Sequence, residues 1–377
     1  MTAYVEAWWE ELMEGVREAT NHLWEPHLYK VVQHADIDGT AEWLFARGYG
    51  SGARVILSTS QGGTLKLAVV DPIDSSEMTS ISWHSLSTSG RVVDHWHIVS
   101  PLTQYHWLSY SYGPDDGEGN ESLSVLQVTF DEASETFTVE DEIDVIPGME
   151  DAMELSYSGA DFFERVTGTN DHFLVHALND PFYGGVIVGV LAPGTHSGTR
   201  LIHVTLRGAL YEWGDVTDST YVRDSRHKNG ASAFLQSRYS EICILAPTSM
   251  VPSQESTIAR VVVDDSMTSA GIRSAEVLIE KSDCNLAMPT VVQIGNCFLV
   301  TYRQFEVRPE DEKNDAGDIM RQLFDSDWQP LWSEPEALTS SGQANRPHTQ
   351  AWEGYIITCW TENGKGQMRV DWVVDLP

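Results

Sequence analysis

Lysine is scarce in this 377-residue chain: six of its 23 basic residues are Lys, set against 56 Asp and Glu, for a formal net charge of −33. Clustered Lys and Arg are what a protein needs to displace counterions from phosphate, so the composition excludes nucleic acid and an anionic membrane as partners. Dense carboxylates repel one another at low ionic strength, and molar salt shortens the Debye length to about 3 Å. An acidic, Lys-poor surface of this kind predicts a protein suited to concentrated salt, as in a halophilic host. Cysteine is also sparse. Cys243, Cys284, Cys297 and Cys359 show no C-x-x-C spacing, and Cys243, Cys297 and Cys359 lie in strand-like apolar runs where a free thiol behaves as a small hydrophobe. Neither a disulfide framework nor a zinc site is expected. No apolar run is long enough to span a membrane. Residues 1–26 carry Glu6, Glu10, Glu11, Glu14 and Glu18 in place of a basic start and an apolar core, so the expectation is no secretory signal and a cytoplasmic or virion-associated location. Also missing are a G-x-S-x-G elbow, an H-E-x-x-H helix, a P-loop and a G-x-G-x-x-G turn, which removes the motif-borne enzyme classes.

What the chain does have is a pattern that returns six times, about once every 60 residues. Apolar runs at 53–58, 106–110, 172–176, 233–237, 297–301 and 355–359 are each followed by a loop and a further strand. Those further strands end at Val70-Asp71, Phe130-Asp131, Leu206-Arg207, Val263-Asp264, Phe324-Asp325 and Val374-Asp375, with Asp replaced only in the third. Short alternating strands with Gly, Pro and Asp turns at this period predict an all-β, six-bladed β-propeller. The blades fall at approximately 41–88, 92–146, 161–217, 221–280, 287–340 and 346–375, with the apolar runs as second strands. The last copy runs out of chain before a fourth strand, while residues 28–33 have no blade of their own. An unpaired sheet edge leaves backbone donors and acceptors unsatisfied, so 28–33 is expected to close the ring.

Ahead of residues 26–377, which make up the propeller, residues 1–25 form a separate unit. Val5, Trp8, Trp9, Leu12, Val16, Ala19 and Leu23 recur at helical spacing over 3–24, with glutamates opposite, Thr2 as cap and Pro26 as stop. Trp8, Trp9, Leu12 and Val16 would dock this amphipathic helix on a protein partner in a larger assembly, or pack it on the outside of the propeller itself.

The stretch Asp318-Ile319-Met320-Arg321-Gln322-Leu323-Phe324-Asp325, continuing through Trp328 and Pro330-Leu331 to Asn345-Arg346-Pro347-His348 and the strand at 355–360, resembles propeller repeats of large bacterial surface and secreted proteins. Those read D-I-x-x-Q-x-F-D-x-x-G-x-P-L, then N-x-P and an apolar strand. The resemblance covers about 60 residues well; Trp328 stands where the turn Gly is usual, so that turn is expected to differ. It implies architecture and no chemistry.

Chemistry is therefore sought in loops and along the axis. Long segments at 113–122, 179–198, 247–256 and 307–317 read as connectors from second to third strands, sharing one face of the ring. The first offers Asp115, Asp116, Glu118 and Glu121 around glycines, a candidate Ca²⁺ site outside the EF-hand register. No other cofactor is expected. Polar residues on innermost strands are the candidate ligand contacts: His95, His97, Arg165, Arg223, Arg226, Arg346 and His348. Several arginines converging on one axis resemble the carboxylate-binding cluster of sialidases, but the Arg-Ile-Pro motif is absent and only residues 58–65 approach an Asp-box. If the axis holds an enzyme, Asp94, Asp161 and Glu164 are the acid and base candidates for glycoside hydrolysis, whose paired carboxylates leave no local motif. The reading that fits best is a non-enzymatic binding or structural module in a larger assembly, such as a virion surface or tail protein of a virus of a halophilic host. A carbohydrate-active enzyme is the alternative, and a glycan is the alternative partner. The charge reading has a direct test: thermal unfolding in molar salt is expected at a higher midpoint than in dilute buffer, and equal midpoints would refute it.

Overall fold

Apolar runs such as Val55-Ile56-Leu57 break the alternation expected of a strand with one face in water, because here both faces are covered. Val55 and Leu57 pack toward one neighbouring sheet, with Ile357, Cys359, Met368 and Val370. Ile56 points the other way, among Val92, Leu108, Tyr110 and Leu126. Successive side chains of a strand leave on opposite faces, so a sheet sandwiched between two others must be apolar at every position of its central strands.

The computed structural model describes strands between Leu28 and Val373. Residues 1–27, 147–173, 216–231 and 374–377, and connectors including 114–121, 192–198, 249–256, 264–271 and 307–315, lie outside the described residues. That places the expected helix with Trp8, Trp9, Leu12 and Val16, the acidic loop with Asp115, Asp116, Glu118 and Glu121, and Asp161, Glu164, Arg165, Arg223 and Arg226 outside them too.

The described strands form six antiparallel four-stranded sheets. The chain opens with β1 (Leu28–Thr40) and then builds the first sheet from β2 (Trp43–Gly48), β3 (Val55–Gln61), β4 (Thr64–Val70) and β5 (His84–Ser85). The second sheet holds β6 (Arg91–Val99), β7 (His106–Gly113), β8 (Ser122–Asp131) and β9 (Thr136–Ile146). The third holds β10 (Leu174–Asn179), β11 (Gly185–Leu191), β12 (Thr199–Thr205) and β13 (Leu210–Asp215), and the fourth β14 (Ser232–Gln236), β15 (Glu241–Thr248), β16 (Thr257–Val263) and β17 (Ile272–Glu280). The fifth comprises β18 (Cys284–Ile294), β19 (Cys297–Glu306), β20 (Asp318–Phe324) and β21 (Glu336–Ala337). The sixth comprises β22 (Ala344–Trp352), β23 (Tyr355–Glu362) and β24 (Lys365–Val373), with β1 paired on β24 as its fourth strand. The first strands of successive sheets touch, and β22 touches β2, so the sequence of contacts is cyclic. One four-residue helix, α1 (Ser75–Met78), is the only helix among the described residues, and none there is long and apolar enough to cross a membrane.

Two expectations need correction. The runs at 172–176 and 233–237 fall in first strands, β10 and β14, and not in second strands. The segment 179–198 is also no simple loop, since β11 occupies its middle. Gly185 and Gly189 dilute the strand signal of the Gly-Val-Ile-Val-Gly-Val-Leu sequence that forms β11.

The recurring apolar–Asp step has a local cause. Asp71 accepts from the backbone N–H of Ile73, Asp131 from that of Ala133, and Asp325 from those of Asp327 and Gln329, each closing the turn that follows a third strand. An Asx turn supplies the bend that a run of β-branched residues cannot. At Trp328 the chain takes φ +61°, the left-handed conformation that glycine adopts freely. The indole is nonetheless buried, stacked on Phe298 at 4.2 Å and 8°, with the Arg260 guanidinium 5.2 Å from its centre. A large aromatic surface removed from water, worth roughly 2–3 kcal/mol, outweighs a backbone cost of about 1–2 kcal/mol.

Fifth and sixth sheets are joined by a buried ion network. Arg321 on β20 reaches Asp371 on β24 at 2.7 Å and Glu336 on β21 at 2.8 Å; Arg369 on β24 closes the ring to Asp371 at 2.9 Å and Glu336 at 3.1 Å. Arg321 and Asp371 are almost wholly buried. Removing one member of such a set leaves an uncompensated charge, so Asp371→Asn is expected to lower unfolding free energy by about 3 kcal/mol in denaturant titrations. A loss below about 1 kcal/mol would show that the network does not hold these sheets together.

Candidate functional site at the inner strands

Four histidines meet where the first, second and sixth sheets converge. On β6, His95 and His97 are two residues apart and so share a face; both are fully buried. Ser58 on β3 receives them together, with His95 Nε2 and His97 Nδ1 each 3.1 Å from its hydroxyl. His97 Nε2 continues to His106 Nδ1 on β7 at 3.0 Å. Phe45 on β2 fills the centre, edge-on to His95 at 4.8 Å and tilted on His348 of β22 at 4.7 Å.

The chain of bonds has a direction. If His95 donates from Nε2 to Ser58, Ser58 donates to His97 Nδ1, and His97 Nε2 donates to His106 Nδ1, every link is made with one proton per ring. This leaves His95 Nδ1, which is buried without a hydrogen-bond partner among the described residues, as a bare acceptor. The reverse direction would put an N–H there, and a buried donor with no acceptor is the costlier defect. An added proton would set two donors against each other. The electrostatics agree. Burial, followed by the Arg346 charge, lowers His95 to about 3. Burial, then Arg47, lowers His106 to about 4. Burial, then His106, Arg47, His95 and His348, holds His97 well below its ordinary value. At neutral pH all three rings are uncharged.

The cations at this place are arginines. Arg47, at the end of β2, is half-buried and donates to the carbonyls of His97 and Ala46 and, at 3.4 Å, to Gln350 Oε1 on β22. It thereby bridges the first, second and sixth sheets, and none of its hydrogen bonds to the described residues goes to a carboxylate. Burial lowers it to about 9, partly opposed by the Cys359 thiol, so it stays charged at neutral pH. The same thiol is pushed up to about 12 by burial, with Arg47 opposing. Arg346 sits in a bulge of β22, between Asn345 and His348 in the pairing with β23, at φ +55°. Asn345 holds that bulge by accepting from the Arg346 N–H at 2.8 Å and from Arg303 on β19.

Of the residues expected to line the axis, His95, His97, His348 and Arg346 are brought together here. Asp94 lies on β6 opposite Ser111. No group of three His, Cys, Asp or Glu side chains among the described residues could hold a metal ion. Sequence reasoning missed Arg47, Ser58, His106 and Gln350. Arg47 alone left a trace: a charged residue at the end of the apolar stretch Leu44-Phe45-Ala46 has no reason to be there unless the strand ends at a polar place.

No protein-family profile and no curated protein matches the sequence. Solved structures do resemble it. AofleA from Arthrobotrys oligospora aligns at a TM-score of 0.52 and 9% identity, over 91% of this chain and 89% of that one. A Trypanosoma rangeli sialidase in complex with the inhibitor DANA aligns at 0.51 and 10%, over 89% of this chain and 55% of the sialidase. At such identities the likeness speaks to fold alone, and the fold is of β-propeller type.

The histidine cluster generates a pH prediction. His95, His97 and His106 titrate near 6.5 when unfolded and far lower when folded, so the unfolded chain takes up protons first as pH falls. Stability is complete above about 6.5 and is lost downward, through about 4 for His106 and about 3 for His95, at up to ~1.4 kcal/mol per pH unit per histidine. Denaturant midpoints between pH 7 and 4 check this. His95→Phe should flatten the slope, and an unchanged slope in that variant would contradict the account.

Proposed function

We propose that this chain is a six-bladed β-propeller that works as a non-enzymatic binding module, taking a carboxylate-bearing ligand, in the first instance an acidic glycan, beside Arg47 at the axis. The six sheets, the cyclic contacts of their first strands and the pairing of β1 with β24 support the six-bladed reading. The observation that carries the binding reading is the state of Arg47: a half-buried guanidinium whose hydrogen bonds to the described residues all go to neutral oxygens, in a chain of net charge −33. With so many carboxylates available, a cation kept for carbonyls and one amide retains its charge for an incoming anion, and a planar fork suits a carboxylate. Gln350 and Arg346, both partly exposed, border the same cluster and would supply further contacts. Against proton-transfer chemistry stands the neutrality of His95, His97 and His106, none of which could deliver a proton near pH 7. The described carboxylates that are shifted, Asp74 and Asp131, are moved down by hydrogen bonds from Ser76 and Ser134, the wrong direction for a general acid.

The test is a comparison of uronic-acid- and sialic-acid-bearing oligosaccharides with their neutral counterparts on the full chain. Binding should be confined to the acidic set, and Arg47→Gln should weaken it at least about tenfold, with folding verified by circular dichroism. Equal binding of neutral glycans would overturn the proposal. Turnover of an oligosaccharide, abolished by Asp94→Asn, Asp161→Asn or Glu164→Gln, would instead establish the carbohydrate-active alternative.

A further inference from the structure

Strand β24 places Met368, Val370 and Trp372 on one face, two residues apart. Met368 and Val370 are fully buried in the core between the sixth and first sheets. Trp372, next along that face, is 52% exposed, the most exposed large hydrophobic side chain among the described residues. Tyr355 lies opposite it in the pairing with β23, the ring centres 6.3 Å apart. Trp352, its partner across the next pair of strands, and Ile81 and Trp83 from the first sheet's last connection are partly buried against the same core. The seam between these sheets therefore does not end in polar residues. It runs out to the surface as an aromatic patch, a feature that in a soluble chain marks a covered face.

The chain itself points to what covers it. In the pairing of β1 with β24, Leu28 stands opposite Val373 and Tyr29 opposite Trp372. The segment ahead of β1 thus departs beside the patch. That segment carries the apolar stripe ending at Val16, Ala19 and Leu23, and the five steps from Leu23 to Leu28 reach no further than about 18 Å. A tether so short holds the stripe at an effective concentration of millimolar order, well above that of any free partner. In dilute buffer charge argues against a second copy, since two chains of net charge −33 repel, whereas helical spacing of the segment's sequence would set its glutamates opposite the stripe, in water.

We propose that Leu12, Val16, Ala19 and Leu23 of the chain's own N-terminal segment dock on the patch formed by Trp372, Tyr355 and Trp352. The segment becomes a cover for the seam at which the ring is closed.

Limited digestion of the full chain with a Glu-specific protease, followed by mass spectrometry, tests this, because cleavage tracks the undocked population when opening is fast. Cuts at Glu14 and Glu18 should speed up about tenfold in Trp372→Ala and similarly in Val16→Asp. The double variant should be cut no faster than either single one, because both remove the same contact. Val277→Ala, at an exposed apolar position in the fourth sheet, should change nothing. Unchanged cleavage in Trp372→Ala, or independent multiplication of the two effects, would overturn the proposal. So would dissociation of an oligomer by Trp372→Ala, seen in sedimentation, because the occupant would then be a second copy.

Discussion

Everything in this molecule depends on the hydrogen-bonded pairing of β1 with β24. Sequence neighbours can build five sheets and three strands of a sixth; the remaining edge must be found at the other end of the chain. Without it, the backbone N–H and C=O groups along Lys365–Val373 would face solvent as an open template for aggregation. The pairing is not regular. Its register shifts between Tyr29 and Val31, between Val31 and Gln33, and between Ile37 and Thr40. Bulges add twist and re-aim side chains, and Ile37 still reaches the core beside Met368 and Val370. The opposite face of β24 carries Arg369 and Asp371 into the ion network with the fifth sheet. Loss of the β1 pairing would expose one core and loosen a buried set of charges together.

The interior shows how a strongly acidic chain distributes its few cations. Arg321 neutralises buried Asp371, and Arg303 is wholly buried over the Phe305 ring with Asn345 as acceptor. A hydroxyl ladder, Thr301 to Thr349 to Thr358, ties the fifth and sixth sheets without charge. The histidines are used as uncharged hydrogen-bonding aromatics. Arginine is retained inside because its planar donors satisfy several oxygens at once, which a lysine ammonium does less well. The scarcity of lysine is thus consistent with basic residues being placed where geometry is demanding.

How far the fold could be read from sequence follows from which signals are local. Asp71, Asp131 and Asp325 close turns within four residues of themselves, so the third strands announced their ends. Counting strands from 347 onward exposed a missing edge, and Leu28–Thr40 lies there. Reading failed in the third and fourth copies, where Leu174–Asn179 and Ser232–Gln236 are first strands. A short apolar run looks the same whether it lies second or first in a sheet, and the distinction rests on neighbours far away in the chain. The site was harder still. His95 and His97 were visible as a pair, but Ser58 acquires its role only when β3 is laid against β6, and Arg47 only when Gln350 arrives from the opposite end of the sequence.

Repetition offers a way to separate architecture from function at this site. Arg346 precedes Pro347 in a bulge of β22 at φ +55°, and Met288 precedes Pro289 in the corresponding bulge of β18 at φ +49°. Both are non-glycine residues in a left-handed conformation ahead of a proline, a combination costing about 1–3 kcal/mol that persists only where surroundings enforce it. Because a methionine and an arginine share the same backbone device, the bulge is part of the repeated sheet and by itself says nothing about a ligand. The difference in side chain is what needs explaining. Met288 is buried in the fifth sheet, whereas Arg346 remains partly exposed beside His95. Where two repeats keep the same strained geometry and change only the residue at its tip, the backbone device does not dictate which side chain stands there. The binding surface proposed beside Arg47 accordingly includes Arg346.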